Sequence, residues 1–184
     1  MDLRPWAIAS AFTLAGCTAA LGATGSQTLG SAGVSSVGAK AGGRLYIWGD
    51  DGVVIGAEEE VLARTDTGGC CDQWRVRGLL GVANEPMAHE SPIGWEAAVH
   101  AGLARIPVDM SHATAAMFGL QGALPIRISP RKDAWDADDL IRTAFQIVPD
   151  LTLSELVPLV RAGVRADVAV GLSLRMHFYS GALP

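Results

Sequence analysis

Between Val164 and Tyr179 the chain alternates without a break. Val164, Ala166, Val168, Val170, Leu172, Leu174, Met176 and Phe178 are apolar and two apart, with Arg165, Asp167, Ala169, Gly171, Ser173, Arg175, His177 and Tyr179 between them. Eight consecutive matches to a period of two predict a strand with one buried face. A run of this length exceeds the usual strand of about five or six residues, so a bend at Gly171 or pairing with a neighbouring subunit is expected. Similar patterning appears earlier. Arg44 to Trp48 and Val53 to Ile55 flank Gly49-Asp50-Asp51-Gly52, and Asp-Gly supplies the positive φ angles of a hairpin turn. After a polar turn over Thr65–Gly69, Trp74, Val76, Leu80 and Val82 share one face and Arg75 and Arg77 the other, again as a strand.

Four segments instead show helical spacing. Ser91-Pro92 provides an N-cap and a first-turn proline, after which Trp95, Val99 and Leu103 recur until Pro107. Asp109 or Ser111 opens a second helix carrying Ala113, Met117 and Leu120. Asp136-Ala137-Asp138-Asp139 opens a third, with Leu140, Ile141, Ala144, Phe145 and Val148 on one face and Pro149 at its end. Thr152 and Glu155 form a capping box, with Leu151 and Leu156 as its staple, for a fourth helix running to Gly163. Leu124–Ile128 is a short strand that Pro125 confines to an edge or a strand start. The fold class this predicts is α+β: a mainly antiparallel sheet with about four short helices and a long C-terminal strand.

The N-terminal region stands apart. Pro5 to Ala39 holds no Asp, Glu, Lys, Arg or His, whereas a domain surface is about one-quarter charged. Residues 5–16 have the makings of a short helix, and residues 18–43 are rich in Gly, Ala, Ser and Thr with no aromatic. Such a composition behaves as an arm or linker. The expected organisation is an uncharged, extended N-terminal arm over 1–43 and a single α+β domain over 44–184. Ordering the arm costs about 1–2 kcal/mol of backbone entropy per residue, which it recovers only against other protein surfaces. Trp6, Ile8, Phe12 and Leu14 are the expected assembly contacts.

Charge and chemistry narrow the function further. The chain has 184 residues and a net charge of −5, and 49% of it is hydrophobic. A negative domain does not attract phosphate backbones at long range, so direct nucleic-acid binding is not expected. Beyond Pro5–Leu21 no window approaches the roughly 20 apolar residues of a spanning helix, and that window is itself diluted by Ala, Gly, Ser and Thr. Cys17, Cys70 and Cys71 match no metal spacing and leave the redox compartment open. His89-Glu90 lacks the second His of a zincin helix. Asp133, Asp136, Asp138 and Asp139 read as a helix N-terminus rather than a cation site. Gly33 to Gly38 with Lys40 does not match a phosphate loop, and no G-x-S-x-G elbow is present. His100, His112 and His177, and Trp48, Trp74 and Trp95, read as packing, exposed or interface residues. No catalytic, cofactor or metal site is expected, and no enzyme activity.

Leu14-Ala15-Gly16-Cys17 resembles the lipobox of bacterial lipoprotein signal peptides, with Arg4 as the positive region and residues 5–13 as the apolar core. The resemblance covers only the first seventeen residues. It implies a signal peptide over 1–16, lipid on Cys17, a Gly/Ser-rich tether and a partner-binding periplasmic or surface domain, which would be the one route to a membrane. The leading expectation is different: a non-enzymatic structural subunit of a large symmetric assembly, with a virion component (capsid or tail) as the first case. Its partners are identical or different protein subunits, contacted through the arm and the C-terminal strand. The bacterial membrane-anchored lipoprotein is the alternative.

Overall fold

Every described stretch in which apolar and polar residues alternate is a strand. The computed structural model describes residues 14–29, 34–47, 51–66, 73–84, 91–108, 111–129, 141–159 and 163–180; the rest of the chain lies outside that description. Nine strands follow in chain order: β1 Leu14–Leu29, β2 Ser35–Ile47, β3 Asp51–Arg64, β4 Gln73–Asn84, β5 Trp95–Val108, β6 Ser111–Ala123, β7 Ile126–Arg127, β8 Ile141–Pro158 and β9 Arg165–Ser180. All pairings are antiparallel, between neighbours in the order β6-β5-β4-β3-β2-β1-β9-β8-β7, and β6 also pairs with β8. That last pairing closes the sheet. The two-residue β7 continues the line of β6 past Leu124-Pro125 and, like β6, pairs with β8. The wall therefore has eight staves.

The register fixes the shape. Following cross-strand partners from Ile147 of β8 leads through Leu174, Leu21, Ala41, Glu59, Val76, Leu103 and Ala116 back to β8 at Val157, ten residues further along. Eight staves closing with a stagger of ten tilt by about 40° to the barrel axis, given the usual rise and strand spacing. At that tilt about ten residues traverse roughly 25 Å. Because the stave number is even, β1 begins and β9 ends at one rim, the terminal rim, where Cys17 pairs with Phe178. At the opposite, far rim, Leu29 pairs with Ala166.

The dressing of the two faces is the reverse of a water-soluble core. Twenty-five large apolar side chains among the described residues are exposed, among them Leu21, Val37, Ile55, Leu80, Val99, Phe118, Leu153 and Leu172. Twenty-one polar or charged residues are buried, more than the fifteen buried hydrophobics. On β9 the apolar series Val170, Leu172, Leu174 points outward, and Asp167, Ser173, Arg175 and His177 point into the lumen. Two small apolar layers flank the lumen's charges. Ala104, Ile106, Ala115, Met117 and Leu156 lie toward the far rim, and Tyr46, Val54 and Ala83 toward the terminal rim.

These findings correct the α+β expectation. The segments read as helices over 91–107 and 111–120 are β5 and β6. Of those read from 136 and from 152, residues Ile141–Pro158 are β8, and Gly163, at φ 130°, lies two residues before β9. The cause is arithmetic: Trp95, Val99 and Leu103 are four apart, which satisfies a helix but equally keeps one face of a strand. The described part of the expected Gly/Ala/Ser-rich arm lies within the sheet rather than ahead of it. From Leu14 the uncharged stretch is β1, paired with β2 on one side and β9 on the other, and β2 follows from Ser35. Its lack of charge reflects its position: Ala19, Leu21 and Ala23 face outward, while small polar Thr18, Thr24 and Ser26 face the lumen.

Candidate functional site

Alternate positions on each stave put their side chains into the lumen, and there five cations meet five carboxylates. Lys40 and Arg44 come from β2, Glu58 and Glu60 from β3, Arg75 and Arg77 from β4, Glu96 from β5, Asp150 from β8, and Asp167 and Arg175 from β9. Eight of the ten groups, all but Lys40 and Asp150, form one alternating ladder that ends on the Tyr46 hydroxyl. Arg75 grips Asp167 with both terminal nitrogens, Nη1 at 2.7 Å from Oδ2 and Nη2 at 3.2 Å from Oδ1. Its Nη1 lies 3.8 Å from Glu60, which accepts from Arg77 at 2.9 Å. Arg77 donates to Glu58 at 2.5 Å, and the other Glu58 oxygen accepts from Arg44 at 2.5 Å. Arg44 Nε then donates to Glu96 at 2.9 Å, and Glu96 pairs with Arg175 at 3.0 Å. Arg175 finally donates to the Tyr46 hydroxyl at 2.8 Å, and the Tyr46 ring stacks on His177 with centroids 5.1 Å apart.

The ladder crosses the barrel as well as running along it. β4 and β9 are four staves apart, on opposite walls, and are tied by Arg75–Asp167. Arg44 of β2 reaches Glu96 of β5 and, at 3.2 Å, Gln121 of β6. Lys40 pairs separately with Asp150, on the far side of β1 and β9. Buried charges are tolerated only when paired and hydrogen-bonded, and here the signs cancel. Small neighbours make room for the long side chains. A Cβ on Gly56 would meet Arg44 Cδ at 2.5 Å and the Gly43 carbonyl at 2.7 Å. One on Gly171 would meet the Asp150 carboxylate oxygens at 2.6 and 2.8 Å. At the far rim, the space between Thr28, Gln73, Ile106, Pro107, Leu156 and Arg165 is about 10 Å³, room for no more than about one water.

The residues singled out from the sequence lie elsewhere. Trp6, Ile8 and Phe12 are outside the described residues; Leu14 opens β1 opposite Ile47, its side chain not described. Cys17 is exposed on the outward face of β1, between Leu45 and Phe178. Lys40, read with the Gly-rich stretch, is a lumen cation. His100 faces the lumen, 3.3 Å from the Ser154 hydroxyl and 3.4 Å from the Leu153 carbonyl. His112 is exposed, and Trp74 and Trp95 face outward. His89-Glu90, Cys70-Cys71, Trp48 and the acidic residues over 133–139 lie outside the described residues. Among the described residues no His, Cys, Asp and Glu side chains gather into a metal-binding group. The sequence does not display the ladder, because Glu58/Glu60, Arg75/Arg77 and Asp167/Arg175 resemble the solvated side of a strand. The usable signal was like-signed charge repeated two residues apart opposite apolar neighbours.

A closed antiparallel barrel, apolar outside and charge-lined within, is the architecture of small transmembrane β-barrels. No protein-family model and no curated protein matches the sequence. Among solved structures, the chain is similar to Neisserial surface protein A (NspA), with 10% identity, coverage of 88% of this chain and 95% of that chain, and a TM-score of 0.54. That likeness is one of fold. The virion or assembly subunit, and a virion location, are overturned by it together with the reversed dressing of the wall. The same barrel gives the Cys17-anchored lipoprotein no better support.

Proposed function

We propose that this chain is an integral outer-membrane β-barrel that sits in the bilayer as a closed, surface-protein scaffold rather than an open pore. The observation that carries the reading is the outward face. Along Val170, Leu172 and Leu174, and along Phe145, Ile147, Leu151 and Leu153, large apolar side chains stand exposed on neighbouring staves. In water such a surface is an aggregation hazard; in hydrocarbon it is the expected dressing. The described residues contain no helix long and apolar enough to cross a membrane; the crossing is made by the eight long strands, whose 12 to 18 residues exceed the roughly 9–11 a tilted strand needs. The lumenal ladder supports a closed barrel without catalysis, since each of its charged residues is paired with one of opposite sign. The test is to refold the full chain into phospholipid vesicles. Flotation with the vesicles and a heat-dependent change in gel mobility are expected; a folded, monomeric protein that stays in water without lipid or detergent would refute the reading.

A further inference from the structure

Among the described residues Arg105 differs from the lumenal arginines. It faces outward, is exposed, and makes no hydrogen bond or ion pair with them. Its cross-strand partners also face outward and are exposed: Trp74 on β4 and Thr114 on β6. Trp–Arg–Thr thus forms a row across three adjacent staves near the far rim. On the side toward the terminal rim the same face carries Leu80, Val82, Val99, Leu103, Phe118 and Leu120. An indole and a guanidinium at the edge of an apolar band mark the level of lipid headgroups.

The row is also organised. Trp74 Nε1 donates to Glu59 Oε1 at 2.6 Å, which fixes the indole and engages one oxygen of that outward carboxylate. Glu155, the other outward carboxylate among the described strand residues, stands on β8 opposite Phe118, two staves from Arg105. Arg105 is left with a planar fork of five donors, a shape matched to phosphate oxygens, and Thr114 is its exposed cross-strand partner on β6.

We propose that Arg105, with Thr114 beside it, binds the phosphate of a membrane-lipid headgroup at the far rim. This rests on the membrane reading above. The test uses the full chain refolded into vesicles of equal parts phosphatidylglycerol and a phosphate-free galactosyl diacylglycerol, extracted into an alkyl glycoside, with retained lipids counted by native mass spectrometry. The wild type should retain the phospholipid about fivefold over the galactolipid, the scale of one basic side chain at a membrane surface. Arg105→Gln should fall to the bulk ratio, and Arg105→Lys should keep only part of the enrichment. Enrichment unchanged in Arg105→Gln, or absent in the wild type, overturns the proposal. Loss of the retained lipid to millimolar inorganic phosphate also overturns it, as the mark of a soluble-anion site. Flotation separates the two claims: a wild type that floats without enrichment sinks only this proposal, and one that does not float sinks the membrane reading and this with it. Arg105→Gln, on an exposed position, should float like the wild type.

Discussion

Lys40→Met isolates a single buried charge. Lys40 and Asp150 are 4% and 5% exposed, and neither has another ion-pair partner among the described residues. Unit charges about 4 Å apart attract by about 4 kcal/mol at an effective dielectric near 20. Removing one member of a buried pair costs about 3–5 kcal/mol because the other stays uncompensated. Lys40→Met should therefore destabilise by about 3 kcal/mol or more. The double variant Lys40→Met/Asp150→Leu should return to within about 1 kcal/mol of wild type or exceed it. The surface pair Arg64–Asp66 is an internal control, 2.5 Å long with side chains 22% and 56% exposed; Asp66→Asn should cost no more than about 1 kcal/mol. The assay is denaturant unfolding of vesicle-refolded protein, followed by gel mobility and tryptophan fluorescence, completed as a double-mutant cycle. A cost for Lys40→Met as small as the surface control, together with steady channels in a planar bilayer, would mean a wet, conducting lumen and would refute the closed-barrel reasoning.

Two further outcomes follow from the wall. Leu172→Arg, outward on β9 and 56% exposed, should cost about 2–4 kcal/mol of stability in vesicles, and Ala166→Arg near the far rim only about 0–1 kcal/mol; equal costs would contradict the assigned band. Gly171→Ala should push Asp150 away from Lys40 and cost about 1–3 kcal/mol in the same unfolding assay. Gly122→Ala, whose added Cβ meets nothing within 4 Å, should stay within about 0.5 kcal/mol of wild type, so similar losses at both glycines would show that lumenal crowding is not the cause.

Periodicity revealed strands only where the two faces contrast strongly. Along β9 every second residue is apolar and the intervening ones include Asp167, Arg175 and His177, so the alternation is visible. Along β1 the faces differ as Ala19, Leu21 and Ala23 differ from Thr18, Gly22 and Thr24, a contrast too small to detect. On β5 the outward Ala97 and Ala101 are weakly apolar, so Trp95, Val99 and Leu103 dominate at a spacing of four that both periods share. Even on β9 alternation shows only that two faces differ. Which one meets protein depends on the surrounding solvent, and that is not written in the period. The ladder was hidden for the same reason: its charges cancel in pairs, so net charge carries no trace of them, and its partners come from staves distant in sequence, as with Arg75 and Asp167.

The first stave is zipped to the last, with Cys17 opposite Phe178 and the seam running on to Leu29 and Ala166. Any partial set of staves has two raw edges whose amide and carbonyl groups have no partner, which hydrocarbon punishes severely. If the barrel spans a bilayer as proposed, its staves cannot enter the hydrocarbon one at a time: the edges stay unpaired until β9 exists, so seam closure and lipid entry become a single concerted event.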